Sequence, residues 1–257
     1  MIFGDNPQAR NNSLMLNAWA VMQAGNLFVY CMNNPVKWID PTGLIIELAG
    51  TLEQQKILIS HLQRLTDHRL SAGTDGRVGI SHFATDNIRF AHGNALIERL
   101  IAAERVVRIE MWSGGNFFNP NNSRNASQSI IGSGGIVLFD PYFDPLITTF
   151  NTGGVAVSTR RPAHIGLAHE LIHADRAMRG VMIPMDQTGT ISLQVERADI
   201  SLMRIFGSTT RTINHRNIMN EEMATIGIRH YTTSCITENM IRREHGLPIR
   251  ASYGRLR

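Results

Sequence analysis

The chain has 257 residues, 43% hydrophobic and 18% charged, which excludes a disordered polymer and allows one large domain, or a short segment joined to a medium one. It contains no run of about 18 apolar residues that could span a bilayer. Its two cysteines, Cys31 and Cys235, are too few and too far apart for a disulfide framework or a cysteine-based metal site. The formal charge of +4 rests almost wholly on arginine. No aromatic-interleaved basic motif accompanies it, so nucleic acid is not expected as a partner.

The apolar stretch at 14–32 is broken by Asn17, Gln23, Gly25 and Asn26 and has no basic leader, so no classical signal peptide is expected. Within it begins "GNLFVYCMNNPVKWIDPTGL", residues 25–44. These residues read as a strand at 27–30, an Asn-Asn-Pro turn, a second strand at 36–39 and a closing Asp-Pro-Thr-Gly turn, which together make a hairpin. Tyr30, Asn33, Asn34, Pro35, Asp40, Pro41 and Gly43 fall in the order found at the end of the Rhs, or YD-repeat, core, which this stretch resembles. That resemblance implies a β-shell upstream, an end of the core at 1–44 and a toxin cargo at 45–257. It also implies synthesis in a bacterial cytoplasm, delivery by a specialised secretion system to a target cell, and a cognate immunity protein.

Beyond residue 50, Thr51 and Gln54 fit a capping box. Leu52, Ile57, Leu58, Leu62 and Leu65 recur at helical spacing, so a helix is expected there, ended by Gly73. A strand at 77–83, a helix at 94–103 and a strand at 106–112 follow. Residues 113–129, rich in Gly, Asn and Ser, read as an exposed loop. A short buried strand at 134–141 comes next, and 146–150 is expected to extend the same sheet. The order is α+β. A strand at 136–139 could be a sheet edge along which an extended peptide lies.

The stretch "GLAHELIHADR", 166–176, carries the chemistry. Pro162 suits a first helical turn and Gly180 a stop, so a helix is expected between them. Positions four apart share a helix face, which lets His169 and His173 grip one zinc ion. Zinc acidifies a water, and Glu170, directly after the first histidine, is placed to act as general base while that water attacks a carbonyl. A third ligand is required. The metzincin arrangement is excluded because positions 176 and 179 are arginines. Glu222, Glu221 and Glu196 remain candidates, Glu222 first, because paired carboxylates within an apolar helical turn call for a reason. Asp175 and Asp199 are candidate partners for an imidazole N–H. Tyr253, His215 and Tyr231 are candidate donors to a transition-state oxyanion.

"EEMATIG" and the tail "ITENMIRREHGLPIRASY" resemble the C-terminal part of the NleD-like family of zinc effector peptidases. The matching residues are His169, Glu170, His173, the two glutamates before Thr225, Glu238, Asn239, Arg242, Pro248, Arg250 and Tyr253. The resemblance implies a zincin-like α+β metallopeptidase with a small mixed or antiparallel sheet, Zn2+ as cofactor and a protein of the target cell as substrate. In residue terms the tail is a helix with Thr237 as N-cap, stopped at Gly246. The leading reading is a zinc endopeptidase toxin behind an Rhs-type hairpin. The alternative is a non-catalytic shell-capping or protein-binding domain, and a basic nuclease is a third reading, with no additional His/Asp cluster to support it.

Overall fold

The computed structural model describes residues 46–196, 210–229 and 232–253, all within the second of the two units into which the chain divides, Leu44–Arg257. The hairpin expected at 25–44 lies outside the described residues. Two sheets and six helices are seen among those that are described.

The first sheet has the order β2-β3-β1-β4-β6-β5, from β1 (Ile46–Leu48), β2 (Arg69–Ala72), β3 (Arg77–His82), β4 (Val107–Met111), β5 (Phe117–Pro120) and β6 (Gly135–Phe139). β1 runs parallel to β4 and β4 parallel to β6, and the outer strands are antiparallel. Parallel neighbours need crossovers. α1 (Leu52–Gln63) and α2 (Ala91–Ala102) lie in the connection from β1 to β4. The Thr51 hydroxyl accepts from Gln54 N and the Gln54 side chain accepts from Thr51 N, closing the capping box at the start of α1. Leu58, Leu62 and Leu65 are buried, but Leu52 is exposed. The helix ends at Gln63 and not at Gly73, because 69–72 is drawn into the sheet as β2.

Two expectations fail in the next stretch. Residues 113–129 are not an exposed loop: they contain β5 and the short α3 (Ser123–Ala126), with Phe118 and Ala126 buried. β5 pairs with β6 from Phe117↔Leu138 to Pro120↔Gly135, so 136–139 is an inner strand and β5 is the edge. The two aromatic residues of the Gly/Asn-rich run are what this pairing uses, one face of the strand being buried.

The second sheet, ordered β10-β9-β8-β7, comprises β7 (Leu146–Phe150), β8 (Ala156–Arg160), β9 (Thr188–Glu196) and β10 (Thr210–Met219). Residues 146–150 therefore belong to a separate sheet and do not extend the first. The C-terminal segment runs along β7, with Phe150 N donating to Ile249 O (3.0 Å) and Ala251 N to Thr148 O (2.9 Å). That lash brings Arg250 and Tyr253 in from the end of the chain.

α4 (Ala163–Met178) is the centre of the molecule: every residue from Ile165 to Met178 is buried. It packs on β5, β6, α1 and α2 and is covered by the short α5 (Asn220–Ile226) and α6 (Glu238–Glu244). A Schellman arrangement closes it, Val181 N donating to Arg176 O and Gly180 N to Ala177 O. Gly180 adopts φ +67, and a Cβ there would fall 1.8 Å from Gln128 O, so the stop needs glycine for its backbone and for its space.

His61 of α1, His164 in the first turn of α4 and His245 at the end of α6 sit near this junction. The His164 and His245 ring centroids are 5.0 Å apart. His61 Nδ1, His164 Nδ1 and His245 Nε2 are buried without a hydrogen-bond partner. Burial, then the charges of His245, Arg64 and His61, push His164 down to about 4. Burial with Arg64 lowers His61, and burial lowers His245 although Glu244 opposes it. A folded pKa below the unfolded value means that the unfolded chain binds more protons in acid. The stability is present above the ordinary histidine value of 6.5 and is lost as pH falls toward about 4. Thermal melts from pH 8 to pH 4 should show Tm falling across that window, with a smaller fall in His164→Phe. An equal fall in both proteins refutes the assignment.

Candidate metal centre

His169 and His173, one helical turn apart on α4, point their Nε2 atoms at each other 3.2 Å apart. Glu222, from α5, completes the group: its carboxylate lies 2.9 Å from His169 Nε2 and 3.5 Å from His173 Nε2. These are the three residues among those described whose donor atoms converge closely enough to hold a metal ion. Two buried imidazoles with facing nitrogens need a proton or a cation between them.

The outer nitrogens explain which. His169 Nδ1 lies 2.8 Å from Glu238 Oε2, and His173 Nδ1 lies 3.1 Å from Glu221 Oε1 and 3.1 Å from Thr225 Oγ1. A carboxylate can only accept, so each Nδ1 carries a hydrogen, and with an ion between the rings each would be neutral and turn an Nε2 lone pair inward. Two imidazole nitrogens and one carboxylate oxygen are the donor set of a zinc or similar divalent site. The residues present fit such an ion.

Both outer carboxylates are themselves held by arginines. Arg176 Nε and Nη2 lie 2.8 Å from the two oxygens of Glu221, and Ile183 N donates to the same carboxylate. Arg250 Nη1 is 2.6 Å and Arg242 Nη1 3.3 Å from Glu238. Burial alone would raise Glu238, but Arg250, His169 and Arg242 hold it well below the carboxylate range. Glu221 is lowered likewise, by His173 and Arg176 against burial. Glu222 is lowered by the two histidines, also against burial. Burial opposes charge on the imidazoles, yet His169 is raised by its hydrogen bonds to Glu222 and Glu238, and His173 is pushed up to about 10 by Glu222 and Glu221. The pocket therefore has a strong appetite for positive charge.

Glu170 is buried, and its side chain makes no hydrogen bond or ion pair among the described residues. It lies outside the converging group, adjacent to it in the helix. Tyr253 is half exposed. Its ring lies 6.2 Å from that of His169, with the Arg250 guanidinium 5.1 Å from its centroid. The charge of Glu222, and then burial, push its hydroxyl up to about 12, so it stays a donor.

Other expected site residues sit elsewhere. Glu221 faces the outer side of His173 and is not a member of the inner group. Glu196 is exposed at the end of β9. Asp175, two positions beyond His173 and so on another side of α4, pairs with Arg179 at 2.8 Å and Arg99 at 3.8 Å, not with an imidazole. His215 shares its Nδ1 with Ser252 Oγ at 2.7 Å, next to Tyr253 in the chain, and not with the carboxylate cluster. Asp199 and Tyr231 lie outside the described residues. Glu238, which the sequence places only in the tail resemblance, is the partner of His169 Nδ1. Its one local signal, a glutamate following the N-cap Thr237, also suits ordinary helix capping.

A buried constellation of this kind defines a candidate hydrolytic metal centre. The chain belongs to the Peptidase M91 family, whose model, described as "Effector protein", matches residues 56–253. No curated protein matches it. Among solved structures, it is similar to the apo, zinc-removed botulinum neurotoxin type C light chain, at 16% identity over 62% of this chain and 32% of that one, with a TM-score of 0.31. The type D light chain is 18% identical over 63% of this chain and 31% of that one, with a TM-score of 0.26. The serotype C1 light chain protease gives 14%, 67%, 40% and 0.30 in the same order. The chain thus spans less than half the length of each. Among the described residues, no helix is long and apolar enough to cross a membrane.

Removing Glu238 would strand the charges of Arg242 and Arg250 in the interior. Glu238→Ala should lower the unfolding free energy by about 3–5 kcal/mol, the usual cost of breaking a buried ion pair. Urea titration measures it, and a change under about 1 kcal/mol contradicts the network drawn here.

Proposed function

We propose that residues 45–257 form a zinc-dependent endopeptidase effector, delivered behind the end of an Rhs core and related to the NleD-like peptidases, that hydrolyses a protein of the target cell. The observation that carries this reading is the convergence of His169, His173 and Glu222, in a chain whose family is a peptidase family. His169, His173 and Glu222 would hold the ion, which when bound supplies a Lewis acid and acidifies water.

The remaining work falls to side chains. Glu238 and Glu221 accept the imidazole N–H groups, keeping both Nε2 lone pairs directed inward. Glu170, with no hydrogen-bond or ion-pair partner among the described residues, takes a proton from the attacking water and passes it to the leaving amine. The Tyr253 hydroxyl, kept protonated, donates to the oxyanion that develops on the scissile carbonyl. The Rhs attachment rests on the order of Tyr30, Asn33, Asn34, Pro35, Asp40, Pro41 and Gly43. An immunity protein in the producing cell is part of the same proposal.

Metal analysis and N-terminal proteomics of a treated lysate test it together. Wild type should carry one zinc per chain and generate new protein N-termini. Glu170→Gln should keep the zinc and lose about 10²–10⁴-fold in rate. Glu222→Ala should lose the ion. Glu221→Ala should bind it about 10–100-fold more weakly. A wild-type protein that takes up no zinc, or a Glu170→Gln variant that cleaves at the wild-type rate, would falsify the reading.

A further inference from the structure

Arg161 stands between β8 and α4, anchored by its backbone N–H on Pro145 O at 2.9 Å. It is only 6% exposed. Its side chain makes no hydrogen bond or ion pair among the described residues, and Nε is buried without a partner. The molecule otherwise pairs its buried arginines with care: Arg176, Arg242 and Arg250 each meet a carboxylate. An unpaired guanidinium out of water is costly, and proteins keep one where something else is to meet it.

A second orphan sits beside it. Asn116 accepts from Asp140 N through Oδ1 at 2.8 Å. That bond settles which way round the amide lies and leaves Nδ2, also buried, without an acceptor. Both orphans lie against Gly166: a Cβ built there would fall 2.4 Å from Asn116 Nδ2 and 3.1 Å from Arg161 Nη2. Gly166 is one helical turn before Glu170, on the same face of α4. Burial, and then the charge of Arg250, lower the Arg161 guanidinium's pKa, against Glu238, Glu170 and Tyr253, which favour its charge. Two donors, one of them cationic, thus converge beside the carboxylate assigned as general base, and Asn116 directly precedes the edge strand β5.

We propose that Arg161 and Asn116 form a carboxylate-recognition subsite that selects an aspartate or glutamate of the protein substrate beside the bond to be cut. This rests on the peptidase reading above. A planar carboxylate offers two acceptor oxygens and a directly paired countercharge, which the guanidinium lacks among the described residues, whereas a backbone carbonyl offers only an acceptor. The glycine at 166 keeps the space over the helix open to the two donors.

The test uses the full zinc-loaded chain and a degenerate library of C-terminally amidated peptides, so that any carboxylate read is a side chain. Sequencing of the cleavage products should show Asp or Glu enriched at one fixed position from the cut. The preference over Asn or Gln should be about 10- to 100-fold, the worth of a charge-assisted hydrogen-bonded pair. Arg161→Met should abolish that preference while zinc content is kept and Tm is not lowered, because no hydrogen bond or ion pair of the described residues is lost and the methionine fills much of the same space. Asn116→Ala, on the more exposed partner, should reduce the preference by a smaller factor.

Cleavage with no acidic preference overturns the subsite and leaves the peptidase reading intact. So does a preference unchanged in Arg161→Met or in Asn116→Ala. An equal loss of rate on acidic and neutral peptides, or an Arg161→Met chain that fails to fold, assigns the guanidinium to the architecture instead and overturns it too. If the zinc-loaded wild type cleaves no peptide of the library and no protein of the lysate, both readings fall.

Discussion

A charge taken out of water must meet an opposite charge or a full set of hydrogen bonds, and in this molecule that requirement begins at α4. Because the helix is buried from Ile165 to Met178, neither His169 nor His173 can leave a ring nitrogen to solvent. Each outer nitrogen meets a carboxylate, and each of those carboxylates meets arginine. The chain of obligations runs from His169 through Glu238 to Arg242 and Arg250, and from His173 through Glu221 to Arg176. Glu222 alone of the three glutamates turns both oxygens toward the inner nitrogens.

That obligation explains much of the surrounding architecture. α5 and α6 are seven residues each, too short to persist alone, and each delivers a carboxylate to the centre. α5 begins where Asn220 N donates to Gln187 O, and ends at Gly227, whose positive φ turns the chain away. α6 is capped by Thr237 and tied to the tail by Asn239, which bonds Arg250 through both its backbone N and O. The tail in turn is held on β7. Two sheets thus serve one buried cluster, the first through the helix packed on it and the second through the strand edge that grips Arg250.

Within that network, Arg161 and Glu170 are the exceptions, one a buried cation and the other a buried carboxylate without a hydrogen-bonded partner. Arg161 precedes α4 and Glu170 lies on it, and the Arg161 guanidinium meets the helix at Gly166, one turn before Glu170.

The local features of the chain were legible in its residues. The Thr51–Gln54 box, the limits of α4 at Pro162 and Gly180, the shared face of His169 and His173, and the Thr237 cap depend on interactions within four residues. The same letters also favoured Glu222 among three carboxylates. Residues 113–129 misled because composition reports polarity, whereas the pairing of Phe117 and Phe118 with β6 is decided by the partner strand. Leu146–Phe150 misled because a strand's sequence does not name its sheet. That Glu238 and Glu221 face the outer imidazole nitrogens could not be read from the residues around them, since each contact joins positions 48 or 69 apart. Sequence by itself determined the helix, the two histidines that share its face and the glutamate beside them, because helical periodicity is a local property of the backbone. Tertiary structure alone decided which carboxylates face inward, which face outward and which buried arginine makes no ion pair among the described residues, because burial and charge pairing are settled only when distant segments are brought together.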